Sequence, residues 1–320
     1  MNDAARQVPE AISPAPTPGP GGLKIAAVHH LLNADLHSHS TASDGTLDPA
    51  TLARRARANG VELWALTDHD ELLGLAPAQA AAAEAGLPFV PGIEVSVTFA
   101  GITVHIVGLG IDPANEELRA GIAAVRAGRE ERAREMGEGL ARVGIHGAYE
   151  GAVALAPNPH LVSRTHFGRF LVHAGHASDL RSVFGRYLTE GRPGYVEHRW
   201  AGLGEAVRWI RAAGGLAVIA HPGRYRATPT VEYALFSEFQ AHGGRGVEVV
   251  TGSHHPSDVV KYTDVALEFG LLASRGSDFH DPDESRLDLG LGPGGELPGR
   301  LTPVWTELQP VVPPSTLRAA

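Results

Sequence analysis

Short apolar runs alternate with helical periodicities along most of this chain. The run Leu31, Leu32, Ala34, Leu36 reads as a strand that breaks into Ser38-His39-Ser40-Thr41-Ala42-Ser43-Asp44-Gly45. Asp48-Pro49-Ala50 opens a helix with Leu52, Ala53 and Ala56 on its apolar face and Gly60 as its stop; proline fits the first turn, where its missing N–H is not needed. Leu63-Trp64-Ala65-Leu66-Thr67 follows as a buried strand, then an alanine-rich helix over about 77–85 that ends at Gly86. Further strands are expected through Phe89-Val90, Ile93-Glu94-Val95 and Ile102-Thr103-Val104-His105-Ile106-Val107. This rhythm predicts an α/β fold with parallel strands and helices outside.

Over 114–195 the rhythm changes. Helical segments run together, including 116–143 with many Arg and Glu on its faces, and no strand separates them, so the segment is expected to be a small helical insertion. Alternation returns with Leu216-Ala217-Val218-Ile219-Ala220, Val247-Glu248-Val249-Val250 and Leu271-Leu272-Ala273-Ser274. The expected organisation is a disordered tail over 1–22, an α/β body in two parts over 23–113 and 196–310 around the insertion, and a C-terminal tail over 311–320. The first 22 residues are rich in Pro, Gly and Ala without apolar periodicity.

Composition narrows the chemistry. The chain of 320 residues has no cysteine, which removes disulfides, thiolate metal sites and thiol nucleophiles together, so any metal must be held by nitrogen and oxygen. No stretch approaches the roughly 20 apolar residues of a membrane span, and a cytoplasmic protein without a membrane partner is expected. A net charge of −9 argues against duplex DNA as a partner, although bound divalent cations would reverse the sign locally for an anionic substrate. Seventeen histidines in such a chain call for a reason.

The histidines and carboxylates recur where strands end. If the first run is a strand, alternation points His37 and His39 to one side, with Asp44 five residues on. Later strands end in Thr67-Asp68-His69-Asp70, Pro91-Gly92-Ile93-Glu94, Ala220-His221-Pro222-Gly223 and Arg275-Gly276-Ser277-Asp278-Phe279-His280, and another carries His105. Each alone could be mundane: a helix-capping histidine, a satisfied strand-end carboxylate, a turn residue before proline, a buried histidine on a carbonyl. Nine such coincidences at the same edge of one sheet make a poor account, and the C-terminal rim of such strands is where sites are built. A metal centre is expected there.

The segment Asp35-Leu36-His37-Ser38-His39-Ser40-Thr41-Ala42-Ser43-Asp44-Gly45, with Thr67-Asp68-His69-Asp70, Pro91-Gly92-Ile93-Glu94, His221-Pro222-Gly223 and Gly276-Ser277-Asp278-Phe279-His280, resembles the PHP (polymerase and histidinol phosphatase) superfamily. More narrowly it is similar to the branch of 3',5'-nucleoside bisphosphate phosphatases and 5'-3' exoribonucleases, over about residues 31–286. The resemblance implies a distorted seven-stranded (β/α) barrel with a trinuclear centre. The first metal would take His37, His39, Glu94 and Asp278; the second Asp44, His69 and His280; the third Glu94, His105 and His221. It also implies manganese as the metal, with iron or zinc as alternatives, because mixed His and carboxylate ligation suits magnesium less well.

Six neutral imidazoles and three carboxylates around three divalent ions would leave a formal surplus of positive charge, which suits a phosphate. Water shared between two ions would be acidified from about 15.7 toward about 7, a hydroxide nucleophile at neutral pH. Glu94, Asp278 and His221 are the side chains expected at the reacting centre. The expected reaction is removal of the 3'-phosphate from nucleoside 3',5'-bisphosphates, with trimming of short single-stranded RNA from its 5' end as an extension. Phosphatase action on another monoester such as histidinol phosphate, or a non-catalytic metal-binding module, are the alternatives. Ser163-Arg164-Thr165-His166-Phe167 looks like the family's substrate-contacting stretch, so Arg164 and His166 are candidates to hold the uncleaved phosphate. Arg224, Arg275 and His254 are further substrate candidates; His255 is a candidate for the pocket or for the acid. Asp68 and Asp70 are expected to support the site or cap a helix.

Overall fold

The computed structural model describes residues 31–292 and 294–311. The expected tail over 1–22 lies outside them, as does the C-terminal tail beyond Val311; Val311 itself pairs with Phe89. Eight strands form the central sheet: β1 (Ala34–Asp35), β2 (Leu63–Leu66), β3 (Phe89–Phe99), β4 (Ile102–Leu109), β5 (Ala201–Gly202), β6 (Leu216–Ile219), β7 (Gly246–Thr251) and β8 (Leu272–Gly276). Seven lie in the order β1-β2-β3-β4-β6-β7-β8, and the two-residue β5 pairs with the far end of β3. The path nearly closes on itself, since Leu36 N–H donates to Arg275 O and Ser38 bridges to Phe279. The result is a distorted seven-stranded α/β barrel.

The expectation of parallel strands throughout is corrected at β4, which runs antiparallel to both β3 and β6. Phe89-Val90 and Ile93-Glu94-Val95 are one strand, which overshoots the barrel rim and returns through a two-residue turn at Ala100-Gly101. Both turn residues have positive φ, 47° and 82°, the geometry whose twist matches a tight hairpin, and Gly101 meets it without steric cost. Glu94 and His105 therefore sit inside this hairpin rather than at strand ends.

Helices α1 (Pro49–Ala58), α2 (Leu75–Glu84), α3 (Glu116–Ala127), α8 (Leu203–Ala212), α9 (Pro229–Ala241) and α10 (Pro256–Glu268) surround the barrel. The insertion carries α4 (Arg129–Ala141), α5 (Ala148–Ala154), α6 (Arg164–His173) and α7 (Leu180–Val183), the last running into a π turn at Phe184–Leu188. Apolar burial splits accordingly. One cluster fills and surrounds the barrel and includes Leu118, Ile122 and Val125 of α3. A second, among them Met136, Leu140, Phe167, Leu171, Val183 and Leu188, belongs to the insertion. Among the described residues no helix is long and apolar enough to cross a membrane.

Candidate metal centre

His37 and His39 follow β1 in backbone that stays extended, with His39 N–H donating to Phe279 O and Asp278 N–H to His37 O. Alternation turns both rings the same way, and their Nε2 atoms lie 3.1 Å apart, fully buried. The close approach depends on Gly276, where a Cβ would lie 2.5 Å from the His37 backbone nitrogen. Past the ends of β2, β6 and β8 come His69, His221, Asp278 and His280; β3 and β4 deliver Glu94 and His105.

Glu94 is the hub. Its Oε2 lies 3.3 Å from His37 Nε2, 3.3 Å from His39 Nε2 and 2.9 Å from His69 Nδ1. Its Oε1 lies 2.9 Å from His221 Nε2 and 3.0 Å from His105 Nδ1. Asp278 Oδ1 stands 3.3 Å from His39 Nε2 and 3.6 Å from His37 Nε2. Asp44 Oδ1 is 3.4 Å from His280 Nε2, whose ring stacks on His39 at 4.1 Å. Four overlapping groups result, each with ligand atoms within 4.8 Å of one another: His39 with Asp44, His69 and His280; His37 with Glu94 and His221; His37 with His39 and Asp278; His69 with Glu94 and His105. All nine residues expected to bind metal come together, and His39 also reaches the Asp44 group.

The donor atoms fit cations. His39 Nδ1, His69 Nδ1, His221 Nδ1, Asp44 Oδ1, Glu94 Oε2 and Asp278 Oδ1 are buried without hydrogen-bond partners, a concentration of unmet lone pairs that a protein interior otherwise avoids. Burial, and then His280 and His69, pull the His39 pKa to about 3; burial and Arg224 do the same to His221. Both rings are therefore neutral donors. For Asp44, Glu94 and Asp278 burial disfavours the charge, but the surrounding imidazoles outweigh it and hold all three well below the carboxylate range. Burial likewise disfavours charge on His69, yet Glu94 and Asp44 raise its pKa to about 9, so the pocket attracts positive charge. Backbone strain collects here too: of the five described non-glycine residues with positive φ, Asp70, His221 and Asp278 lie at this centre.

A supporting layer fixes the donors. Glu248, buried on β7, accepts from His37 Nδ1 at 2.9 Å and from the His221 backbone N–H at 2.7 Å, orienting the His37 imidazole and fixing the backbone that carries His221. Sequence reading missed it, although a lone carboxylate in Val247-Glu248-Val249-Val250 was the available signal. Asp68 accepts from Ser40 N–H, Ser40 Oγ and Ser43 Oγ and so pins the loop that carries Asp44. Asp70 accepts from Ser96 N–H and pairs with Arg129 of the insertion. Neither caps a helix: α2 begins after Gly74 without a side-chain cap.

The residues expected to touch substrate divide. Arg224 lines a cleft of about 730 Å³ beside Asp278 and His280 and reaches Asp278 Oδ2 at 2.6 Å. Thr165, Leu180, Arg181, Phe184, Ser253, His255 and Arg286 line the same cleft. Arg164 is half-buried over the Phe184 ring, 5.9 Å from its centroid. His166 is fully buried, its Nδ1 accepting from Ser163 N–H to cap α6, and burial lowers its pKa to about 4. His254 is buried with both ring nitrogens occupied, by Val249 O and Gly223 N–H; its neighbour His255 faces the cleft instead. Arg275 is turned away, donating to Gly290 O and to Asn33. The signals for His254 and Arg275 were proximity to motifs; on β8 the Arg275 side chain turns toward Gly290 and Asn33, and in the turn after β7 the His254 ring is held by Val249 O and Gly223 N–H.

Comparison with known proteins follows the same lines. Residues 35–190 match the PHP domain family. A 3',5'-nucleoside bisphosphate phosphatase from Chromobacterium violaceum is 52% identical over 279 residues, 87% of this chain and 97% of its own. A 5'-3' exoribonuclease from Haemophilus influenzae is 41% identical over 271 residues, 85% of this chain and 97% of its own. A solved structure described as an amidohydrolase from Chromobacterium violaceum, with sulfate bound and no metal, superimposes with a TM-score of 0.85 at 51% identity, covering 88% of this chain and 99% of that one.

Proposed function

The chain belongs to the PHP domain family, and from that premise we propose that it is a metal-dependent phosphoesterase that removes the 3'-phosphate of nucleoside 3',5'-bisphosphates. What carries the proposal is the division of Glu94: one oxygen faces His37, His39 and His69, the other His105 and His221, as a carboxylate must to bridge two cations. Three divalent ions, manganese first among the candidates, fit the nine donors; when bound they supply an acidified water and neutralise charge on the phosphoryl oxygens. The chain does the rest. His37, His39, Glu94 and Asp278 form one ligand set, Asp44, His69 and His280 a second, and Glu94, His105 and His221 a third. Glu248 keeps His37 turned so that Nε2, not Nδ1, faces the centre. Arg224, held by Asp278 at the cleft wall, offers further N–H donors to a phosphoryl oxygen. Arg164 holds the phosphate that does not react.

A second substrate shares this chemistry. Cleaving the bond between phosphorus and the 3'-oxygen of a terminal nucleotide releases a nucleoside 5'-monophosphate whether the phosphorus carries a further nucleotide or none. The exoribonuclease relative and a cleft that runs from Asp278 past Phe184 to Arg181 and Arg286 favour short single-stranded RNA as that substrate. Nucleotides of this kind favour the cytoplasm as the working compartment. Phosphate release from adenosine 3',5'-bisphosphate with added manganese tests the reading. The expected product is adenosine 5'-monophosphate; turnover of histidinol phosphate with none of the bisphosphate would overturn it.

A further inference from the structure

Where β4 and β6 reach the metal centre, their ladder is made on one side and wedged on the other. The register pairs Ile106 with Ile219, so His105 and Ala220 face each other next, and Ala220 N–H donates to His105 O at 3.1 Å. In an antiparallel pair of this kind the two residues normally exchange both bonds. Here a side chain replaces the return bond. His105 N–H donates to the Tyr225 hydroxyl at 2.8 Å, and that hydroxyl donates to Ala220 O, also at 2.8 Å; His105 O lies farther from it, at 3.4 Å. One hydroxyl thus occupies a ladder position, accepting from one strand and donating to the other.

Tyr225 reaches this point because Pro222–Arg224 form a single 3-10 turn that brings the chain back, closed by Arg224 N–H on His221 O and Tyr225 N–H on Pro222 O. Its half-buried ring stands nearly edge-on to the His221 ring, with centroids 5.7 Å apart. His221 opens the turn at a φ of 27°, a strained conformation that persists only where neighbours over-determine it. Glu248 on β7 and His254 after it hold the turn through His221 N–H and Gly223 N–H; Tyr225 ties it to β4. The backbone it joins is the backbone that presents His105 and His221. His105 Nδ1 and His221 Nε2 lie 3.4 Å apart, at 3.0 and 2.9 Å from Glu94 Oε1. We infer that Tyr225 is a positioning residue: its hydroxyl, set between β4 and β6, fixes the spacing of His105 and His221 and so the affinity of the cation position they form with Glu94. This role rests on the ligand sets proposed above.

Manganese titration of the chelator-stripped full chain tests it without turnover. His105→Ala marks the position in question by removing one class of bound manganese from the wild-type isotherm. Tyr225→Phe, which loses only the hydroxyl, should weaken that same class about 10- to 100-fold, the usual cost of losing a group that orients a metal ligand, and leave the other classes unchanged. Unchanged affinity with a lowered Tm of the metal-free variant would make Tyr225 a merely structural residue and overturn its assigned role. So would equal weakening of every class, or a wild-type isotherm that His105→Ala does not alter. Should Tyr225→Phe fail to fold, Tyr225→Met fills much of the same space without a hydroxyl and carries the same expectations. Phosphate release from adenosine 3',5'-bisphosphate is measured separately. Manganese binding that depends on Tyr225, with no phosphate released, would sink the phosphatase reading alone; release by a Tyr225→Phe protein whose isotherm matches the wild type would leave that reading standing and remove the role of Tyr225.

Discussion

Glu94 and Glu248 show how differently two buried glutamates can serve one site. Glu94 offers both oxygens to imidazoles of two ligand sets, so Glu94→Ala removes a bridge and should lower kcat by at least about a thousandfold, the loss expected for a group used throughout the reaction. Arg164→Ala should instead act chiefly on KM for the bisphosphate, since that side chain makes no contact with the metal ligands. Steady-state kinetics on both variants separate the roles; a dispensable Glu94 would show the chemistry lies elsewhere. Glu248 touches no cation position but fixes His37 and the His221 backbone, so Glu248→Gln should weaken metal binding about 10- to 100-fold, measured by chelator competition. All nine ligand candidates were legible because histidine and carboxylate stand out against the apolar strands that present them. Glu248 was not, since it acts through a neighbour, His37, that folding brings near across 211 residues.

At the level of elements, sequence periodicity found the barrel's strands and the helical character of the stretch after β4, but not the direction of β4, nor that Glu116–Ala127, expected in the insertion over 114–195, packs into the barrel core. Alternation is the same in either direction, and only the two-residue Ala100-Gly101 turn between strands marks the hairpin. The insertion meets the metal loop through α6: Ser163 Oγ donates to Asp44 Oδ2, Arg169 Nη1 to Asp44 O, and Arg169 also pairs with Glu284. Arg169→Ala leaves Asp44 O and the Glu284 carboxylate without this partner and should both cost about 1–3 kcal/mol of stability and speed proteolysis within the insertion; unchanged cleavage rates would show that this clasp does not hold it. Helix α1 gives a milder case. Asp48 caps it, bonded to Thr51 Oγ1 and to the backbone N–H groups of Ala50 and Thr51, and these bonds, the Thr51 hydroxyl first, lower its pKa. A carboxyl with a lowered folded pKa stabilises the fold above its unfolded value and loses that contribution as pH falls through the folded one. Asp48→Ala should therefore cost about 1 kcal/mol at neutral pH, and the Tm gap between variant and wild type should close as the solution is acidified below the ordinary aspartate range.

For the whole molecule, the chain carries a net charge of −9 and yet its proposed substrate is an anion. The two facts are compatible because charge is partitioned: the donor pocket gathers cations, and Arg224 borders it beside Asp278. Sequence reading located the pocket and named Arg224 beside it, but it named Arg275 equally, and only folding shows that Arg275 turns away to Gly290 O and Asn33. Metal binding to so preorganised a donor set is coupled to folding, and manganese at about 100 times its Kd should add about 2.7 kcal/mol of stability per independent site, visible as a rise in Tm that a chelator reverses. The most direct measurement of the central claim is phosphate release from adenosine 3',5'-bisphosphate by chelator-stripped protein as manganese is added back. Release should be negligible at the start, climb with bound metal to a plateau, and yield adenosine 5'-monophosphate; turnover that survives stripping, or full metal loading with no phosphate released, would contradict it.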